Sequence, residues 1–305
     1  SGGGWWPDDR ATLHLMRRRS LLLQVGVATL LLALLALLVN NLAVNLLRTG
    51  LGLDFGWLGR PSGFALAESA LPYSPSDSYL WALTIGWLNS LKVIAAGLVL
   101  ATLLGVAAGA ARSSSNRLLR SLAGGYVAVI RQVPLLLQLL FWYFVAFLGL
   151  PETPIGGLIQ LSNQGISMLG MPLSVEFCAV LTGLTVFTGA SIAEIVRGGV
   201  NAVPRGQWEA FRSLGLSEGL GLRRIVLPQA LPAILPALTS QYLNLAKNST
   251  LAIAVGYADL YAVSDTTITQ TGRAIEGFLL LLISFLLLNL LISCLLYTSP
   301  SPRDN

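Results

Sequence analysis

The sequence predicts an all-α polytopic membrane protein with about six transmembrane helices. Three observations carry this. The 305 residues are 54% hydrophobic and 11% charged, with a mean hydropathy of +0.70. Soluble domains carry roughly 25% charged residues. Six apolar stretches are each long enough for the ~20 helical residues that cross ~30 Å of hydrocarbon. The arginines gather in alternate connections, as the cytoplasmic loops of membrane proteins require.

The first stretch, 21–39, is nearly pure Leu, Ala and Val. No small-residue cleavage site follows it, and Asn40-Asn41 is a poor one, so it is expected to be a span rather than a signal peptide. Residues 1–20 are then a cytoplasmic segment. Residues 40–80 are rich in Gly, Ser and Pro and are expected outside, with a short helix or two. The second stretch, 83–111, carries Gly97, Gly105 and Gly109 at spacings of four and eight, which let another helix approach closely. The third, 122–150, is interrupted by Arg131-Gln132-Val133-Pro134. Its beginning is expected to be a membrane-surface helix, with the span starting near Pro134.

The fourth stretch, 175–196, ends near Glu194 and Arg197, three apart on one helix face, where they can pair. Together with Arg131 and Pro134 they are assigned a gating or structural role. The fifth, 231–255, is entered through Pro228, Pro232 and Pro236, which share a face and are expected to bend its start. The sixth runs over 275–296. Residues 81–296 thus form one transmembrane domain. The tail 297–305 is polar and of low complexity, and is expected to be disordered.

Arg17, Arg18 and Arg19 precede the first span. Arg112, Arg117 and Arg120 lie between the second and third, and Arg197, Arg205, Arg212, Arg223 and Arg224 between the fourth and fifth. Six spans place all of these on one side, which predicts cytoplasmic N- and C-termini. A net charge of +5 is then a property of the loops and is no sign of nucleic acid binding.

The single His14 has no metal-binding company, and Cys178 and Cys294 both lie in apolar stretches, as small hydrophobes. No G-x-x-x-x-G-K-[ST] occurs, so no P-loop binds nucleotide here. A membrane-embedded hydrolase would want a Ser/His pair, paired acids or a zinc cluster within the spans, and the sequence offers none of these. An ion-coupled secondary transporter of small polar solutes is the alternative. Such proteins usually carry internal repeats and binding sites at the midplane. No repeat is evident here, and the carboxylates sit near the span ends.

Residues 204–228 are the most distinctive. Pro204-Arg205-Gly206-Gln207-Trp208-Glu209-Ala210-Phe211 is followed by Gly215, then by Arg223-Arg224-Ile225-Val226-Leu227-Pro228. Pro204 suits the first turn of a helix. Glu209 is expected in its early turns, favoured by the helix dipole. Gly215 can end that helix in a left-handed conformation, and Ser217 can cap a second. Two short helices meeting at an angle would make a rigid knob between two spans.

Glu209-Ala210-Phe211, Gly215, Ile225 and Leu227-Pro228 match the spacing of the E-A-A motif of ATP-binding-cassette importer permeases, with Phe211 where that family usually has Ala. The flanks Ser191-Ile192-Ala193-Glu194-Ile195-Val196-Arg197 and Arg131-Gln132-Val133-Pro134 resemble its polar amino acid branch. The extra first span and the stretch Leu71-Pro72-Tyr73-Ser74-Pro75 resemble the general, broad-range L-amino acid permeases. The resemblance covers residues 20–296, and the segment 150–172 is shorter than in the longest members. It implies a type I importer permease fold with a cytoplasmic coupling helix. It also implies transport of amino acids without an ATPase site on this chain, ATP and Mg being used by a partner. The implied partners are a cytoplasmic ATPase dimer, a second permease subunit (an unlike one being favoured), and an external substrate-binding protein. Pro204, Gly206, Glu209, Ala210, Phe211, Gly215, Ile225, Leu227 and Pro228 would couple the chain to the ATPase.

A polar stripe marks the fifth stretch. Gln241, Asn244 and Asn248 recur at helical spacing, and Lys247 and Ser249 border them. Charged groups inside a bilayer cost about 2.5–3.5 kcal/mol on insertion scales. The stripe is therefore the candidate lining of a translocation path. A polar packing seam, or Lys247 snorkelling to the interface, is the plainer reading.

Overall fold

The computed structural model describes residues 9–49, 53–149, 153–155, 159–162, 165–168 and 171–297. The chain divides into two compact units, Ser1–Asp54 and Phe55–Asn305.

The first unit is built on one helix, α1 (Asp9–Thr49), and its part Leu21–Leu46 is long and apolar enough to cross a membrane. Leu30, Leu31, Leu34 and Leu38 are exposed along it, as lipid contact demands. The helix continues through 40–49, so the predicted outer loop begins ten residues later than expected. Asn40 and Asn41 are polar but tolerable in a helix, and no Gly or Pro interrupts this part.

The second unit is a bundle around α2 (Tyr79–Arg112), α5 (Val175–Ala202), α8 (Leu227–Asn248) and α10 (Ala274–Tyr297). Ser78 starts α2 by accepting the Trp81 N–H at 3.2 Å, and Ser174 starts α5 by accepting the Phe177 N–H at 3.0 Å. α2, α5 and α10 contain spans by length and apolarity. Leu103, Leu282, Leu286 and Leu290 point outward, while Val93, Leu184, Ile192, Leu245 and Leu288 fill the interior.

The predicted third span is a broken pair. α3 (Arg117–Ile130) and α4 (Leu135–Phe141, continued by a π turn over Trp142–Phe147) meet at 105°. Pro134, at φ −54°, stands as N-cap of α4 where the sequence placed the start of the span. The freed carbonyls are not left bare: buried Gln138 donates through Nε2 to Ile130 O and Val133 O, both at 2.9 Å. That is the kind of cover a helix break inside a membrane requires.

The fifth predicted stretch, 231–255, also departs from a simple span. α8 ends at Asn248 and tightens into a 3-10 turn, Ser249–Val255, closed by Gly256 at φ +81°. Its prolines and amides keep α8 outside the set of helices long and apolar enough to cross, although its 22 residues reach about 33 Å at 1.5 Å each. Pro232 and Pro236 lie inside α8 without ending it. The adjustment occurs earlier, as a π turn over Leu222–Val226 in which Leu227 N–H bonds to Leu222 O. Widening the helix there relieves the clash that Pro228 would impose on the carbonyl four residues back.

Between α4 and α5 lies an antiparallel meander of four short strands: β1 (Thr153–Ile155), β2 (Ile159–Ser162), β3 (Gly165–Met168) and β4 (Met171–Ser174). No strand is predicted over 150–172. The alternation Ile-Gln-Leu-Ser in β2 and Met-Pro-Leu-Ser in β4 is a period-2 signal too short to register. Pro172 falls on an edge strand, where its missing N–H is harmless.

The segment 53–78 is an ordered cover with one short 3-10 turn, Gly56–Gly59. Trp57 is buried with its ring 5.6 Å from that of Tyr79. Tyr73 donates to Phe64 O at 2.8 Å, and Trp81 Nε1 donates to Pro72 O at 3.1 Å. A short helix, α9 (Leu260–Thr271), begins at Asp259, which caps it by accepting the Ala262 N–H at 2.8 Å. Cys178 is buried as expected, whereas Cys294 is exposed on α10, whose outer face is apolar. The predicted tail lies outside the described residues from position 298 onward.

α2 and α5 make the principal contact of the bundle. A Cβ on Gly105 would lie 2.5 Å from Ile192 Cβ, and one on Gly109 would lie 2.8 Å from Val196 Cβ. The predicted close approach at these glycines is therefore real. Rising residue numbers on α2 meet rising numbers on α5, so the two helices are parallel, and the bent pair with its meander must carry the chain back between them. Gly105→Val forces the helices apart. We expect a loss of about 1–3 kcal/mol or more, seen as a lowered thermal midpoint in detergent, with Gly26→Val on α1, where a Cβ meets nothing within 4 Å, as the neutral comparison.

Candidate coupling knob and polar helix face

α5 stops at Val203, whose extended backbone (φ −69°, ψ 127°) turns the chain into Pro204. Pro204 is the N-cap of α6 (Arg205–Ser213), one position earlier than the first-turn place predicted for it. Its carbonyl accepts the Gln207 N–H at 3.0 Å. Glu209 is the fifth residue of nine, so it sits at mid-helix, beyond the first turn where the dipole acts.

α6 ends as the glycine predicts. Gly215 has φ +69°, Gly215 N–H bonds to Arg212 O at 2.9 Å, and Leu216 N–H bonds to Phe211 O at 3.1 Å. This pair of bonds is the Schellman arrangement, and half-buried Leu216 packs near Phe211, as that motif favours. Ser217 is the N-cap of α7 (Glu218–Gly221), but its side chain makes no capping bond. Glu218 instead reaches back to Arg212, with Nε to Oε1 at 2.7 Å and Nη2 to Oε2 at 3.4 Å. That hydrogen bond, and then the charge of Glu218, raise the Arg212 pKa above its ordinary value. The pair is exposed and adds little stability in water. α7 does not end before the next span. It runs through the π turn straight into α8, so the second short helix of the knob is the beginning of the following span.

Phe211 holds the knob together. It is fully buried among Val200, Val203, Val226, Ala230 and Ile234. Any side chain at Gly221 would collide with its ring. The departure from Ala at position 211 is thus matched by a glycine across the knob. Ile225 and Leu227 are half-buried on the inner side, while Glu209, Ala210, Gly206 and Pro228 face outward. Gln229 donates to Gln207 at 3.2 Å, tying α6 to α8. Between the end of α5 and α6 opens a cleft of about 520 Å³, lined by Asn201, Arg205, Trp208, Glu209 and Arg212 among others.

The polar stripe divides on α8. Asn244 and Lys247 are exposed, Gln241 and Asn248 half-buried. Ser249 is buried and donates to Ala246 O at 2.9 Å. Leu245 and Ala246 face the core. Asn244 and Lys247 therefore point away from this chain's own bundle, which argues against a seam packing the chain onto itself. Lys247 lies in the last turn of α8, nearer the helix end than the sequence suggested.

Residues 97–298 match the family model described as "Binding-protein-dependent transport system inner membrane component". The chain is 32% identical to the general L-amino acid transport system permease protein AapQ of Rhizobium johnstonii, over 96% of this chain and 93% of that protein. The chain belongs to this family of inner-membrane transport components. It is also 30% identical to the glutamate/glutamine/aspartate/asparagine transport system permease protein BztB of Rhodobacter capsulatus, over 92% of each. Among solved structures, an amino acid ABC transporter superposes with a TM-score of 0.57 at 30% identity, covering 72% of this chain and 93% of that one. The alignment with AapQ runs over 375 positions, more than the 305 residues here, so that relative carries segments this chain lacks.

Near the knob, this inner-membrane component gathers charge that spacing alone did not reveal. Glu194 takes an ion pair from Arg112 at the end of α2, another from Arg131 at the α3–α4 break (4.0 Å), and a third from Arg197 (3.7 Å). The expected Glu194–Arg197 pair exists, but it is one arm of a four-residue cluster. Sequence reasoning missed two further polar sites. Gln138 covers the break, as described above. Lys92 on α2 pairs with Glu68 on the segment that precedes α2, and the only sequence signal for them was a lone lysine in an apolar run.

Truncating Phe211 empties the centre of the knob. Phe211→Ala should destabilise it by about 3–5 kcal/mol and open the chain at Arg212, Arg223 and Arg224. Limited trypsinolysis in lipid nanodiscs should then cut there many times faster than in the parent. Equal cutting rates would show that the ring does not hold the knob.

Proposed function

We propose that this chain is the membrane-spanning permease subunit of an ATP-driven importer for amino acids, with polar or broad-range L-amino acids as substrates. ATP and Mg are used by a separate cytoplasmic ATPase dimer, and this chain hydrolyses nothing. A second permease subunit, an unlike one in the favoured assembly, completes the pathway. An external binding protein delivers the substrate. The names of the relatives above support the substrate class.

The observation that carries the coupling role is the knob. A loop that only joined α5 to α8 would not need a buried aromatic centre, a Schellman turn and an outward Glu209-Ala210 face. A rigid body of this kind transmits force, and residues 204–222 are its docking surface for the ATPase. Closure of the ATPase pair moves the knob, and because α7 is continuous with α8 the movement reaches the span directly. The arginine distribution supports a cytoplasmic position for this surface and for both chain ends. Residues 151–172 and 257–272 then meet the binding protein outside.

Asn244 and Lys247 support a translocation role for the outward face of α8, with Gln241, Asn248 and Ser249 beside them. A charged side chain at such a place is functional by default. Glu194 and its three arginines tie together the ends of α2, the α3–α4 break and α5, elements that must move relative to one another when access alternates.

Replacing residues 204–222 by a flexible Gly/Ser linker should abolish co-purification with the ATPase and all ATP-driven uptake, with membrane levels of the chain retained. Continued uptake would exclude the lever. Lys247→Ala should cut radiolabelled amino acid uptake by tenfold or more in the assembled transporter, and normal uptake would remove the stripe from the path.

A further inference from the structure

Glu68 lies on the extended segment between the 3-10 turn and α2, not on a span. Its backbone carbonyl accepts Asn89 Nδ2 at 3.0 Å, and Asn89 also holds Ala258 O at 2.8 Å. This anchor brings the Glu68 side chain down to Lys92, fourteen residues into α2 and so about 20 Å along it. One carboxylate oxygen takes the Lys92 ammonium and the other takes the Ser174 hydroxyl. Ser174 is the N-cap of the 28-residue α5, so the positive end of that helix points the same way. The Lys92 Nζ also stands 4.3 Å from the centre of the Phe177 ring.

An ammonium, a hydroxyl donor and a helix N-terminus converge here on one carboxylate. That is the donor set a free carboxylate would need. The side chain of Glu68 is 11% exposed and that of Lys92 34%, so the lysine remains reachable. What it faces is a cavity of about 770 Å³, lined also by Ala67, Ser167 and Leu173. This lies within the range of small-molecule sites, about 300–1,000 Å³.

We propose that Lys92 and Ser174 form a carboxylate-binding site, that Glu68 is its tethered occupant, and that the α-carboxylate of a small amino acid takes the site when the Glu68 side chain turns away. The ligand class rests on the import reading above. The exchange conserves charge: Lys92 stays paired, and the released Glu68 becomes an acceptor for the ligand's ammonium group. A tethered group competes at a local concentration of millimolar or higher. The site is therefore closed to weak or dilute ligands until that competition is relieved, and the covering segment acts as a gate that the substrate itself must open.

The chain contains two lysines, Lys92 and Lys247, which makes the test direct. The assembled transporter in nanodiscs is treated with a water-soluble acetylating reagent, and acetylation of each lysine is read by mass spectrometry, the lysines of the nanodisc scaffold protein serving as internal control. Glu68→Gln should raise Lys92 acetylation about tenfold over the parent while leaving the scaffold lysines unchanged. Glycine, L-alanine and acetate should then protect Lys92, and glycinamide, which lacks the carboxylate, should not. Should Glu68→Gln fail to assemble, Glu68→Asp withdraws the carboxylate by one methylene and must show the same rise. Unchanged acetylation in the variant that assembles, or equal protection by glycinamide, overturns the proposal. Radiolabelled uptake separates the two readings. Protection by acetate and L-alanine with no uptake of any amino acid keeps the site and sinks the import reading. Intact amino acid uptake with no protection does the reverse.

Discussion

The contact between α2 and α5 is the constraint on which the rest of the second unit depends. Lipid tails are as apolar as the side chains they would replace, so helices in a bilayer associate through close packing rather than through exclusion of water. Gly105 and Gly109 permit that closeness by presenting no side chain to Ile192 and Val196. Because the helices are parallel, one end of the contact juxtaposes Lys92 with Phe177 and the other juxtaposes Arg112 with Glu194. Both charged clusters are consequences of one helix pair held in register.

A second constraint is the cost of unpaired backbone groups where water is absent. The chain breaks or bends its helices at Pro134 and Pro228, and each place has its own remedy. At Pro134 the amide of Gln138 reaches back to two freed carbonyls. Ahead of Pro228 the helix widens to a π turn and rebonds one residue further along. The second remedy leaves α7, the π turn and α8 as one continuous rod. A displacement of α7 therefore has no loose joint before α8 in which to dissipate.

Charge within the bundle follows a third rule, that a buried or half-buried ion keeps a partner. Glu194 answers three arginines with one carboxylate, leaving an excess of positive charge where α2, α5 and the α3–α4 break converge. Lys92 has one carboxylate, supplied by a segment outside the helical bundle. The first cluster joins the ends of α2 and α5 to the α3–α4 break, and the second joins the segment before α2 to α2 itself.

What depends on local pattern was legible in the amino acids alone. Apolar length located four of the six predicted spans, in α1, α2, α5 and α10, Pro134 located the break, and Gly215 located the end of α6, because each acts within one or two turns of backbone. The family spacing from Glu209 to Pro228 is of the same local kind. The four short strands escaped, since three or four alternating residues are too few to stand out from a loop. Only the tertiary structure decided that Phe211 fills the knob against Gly221, and that Glu194 gathers Arg112 from 82 residues away. It also decided that Glu68 meets Lys92 across 24 residues and a change of direction. Those pairings depend on where α2 and α5 come to rest against each other, and no period or spacing along the chain encodes that distance.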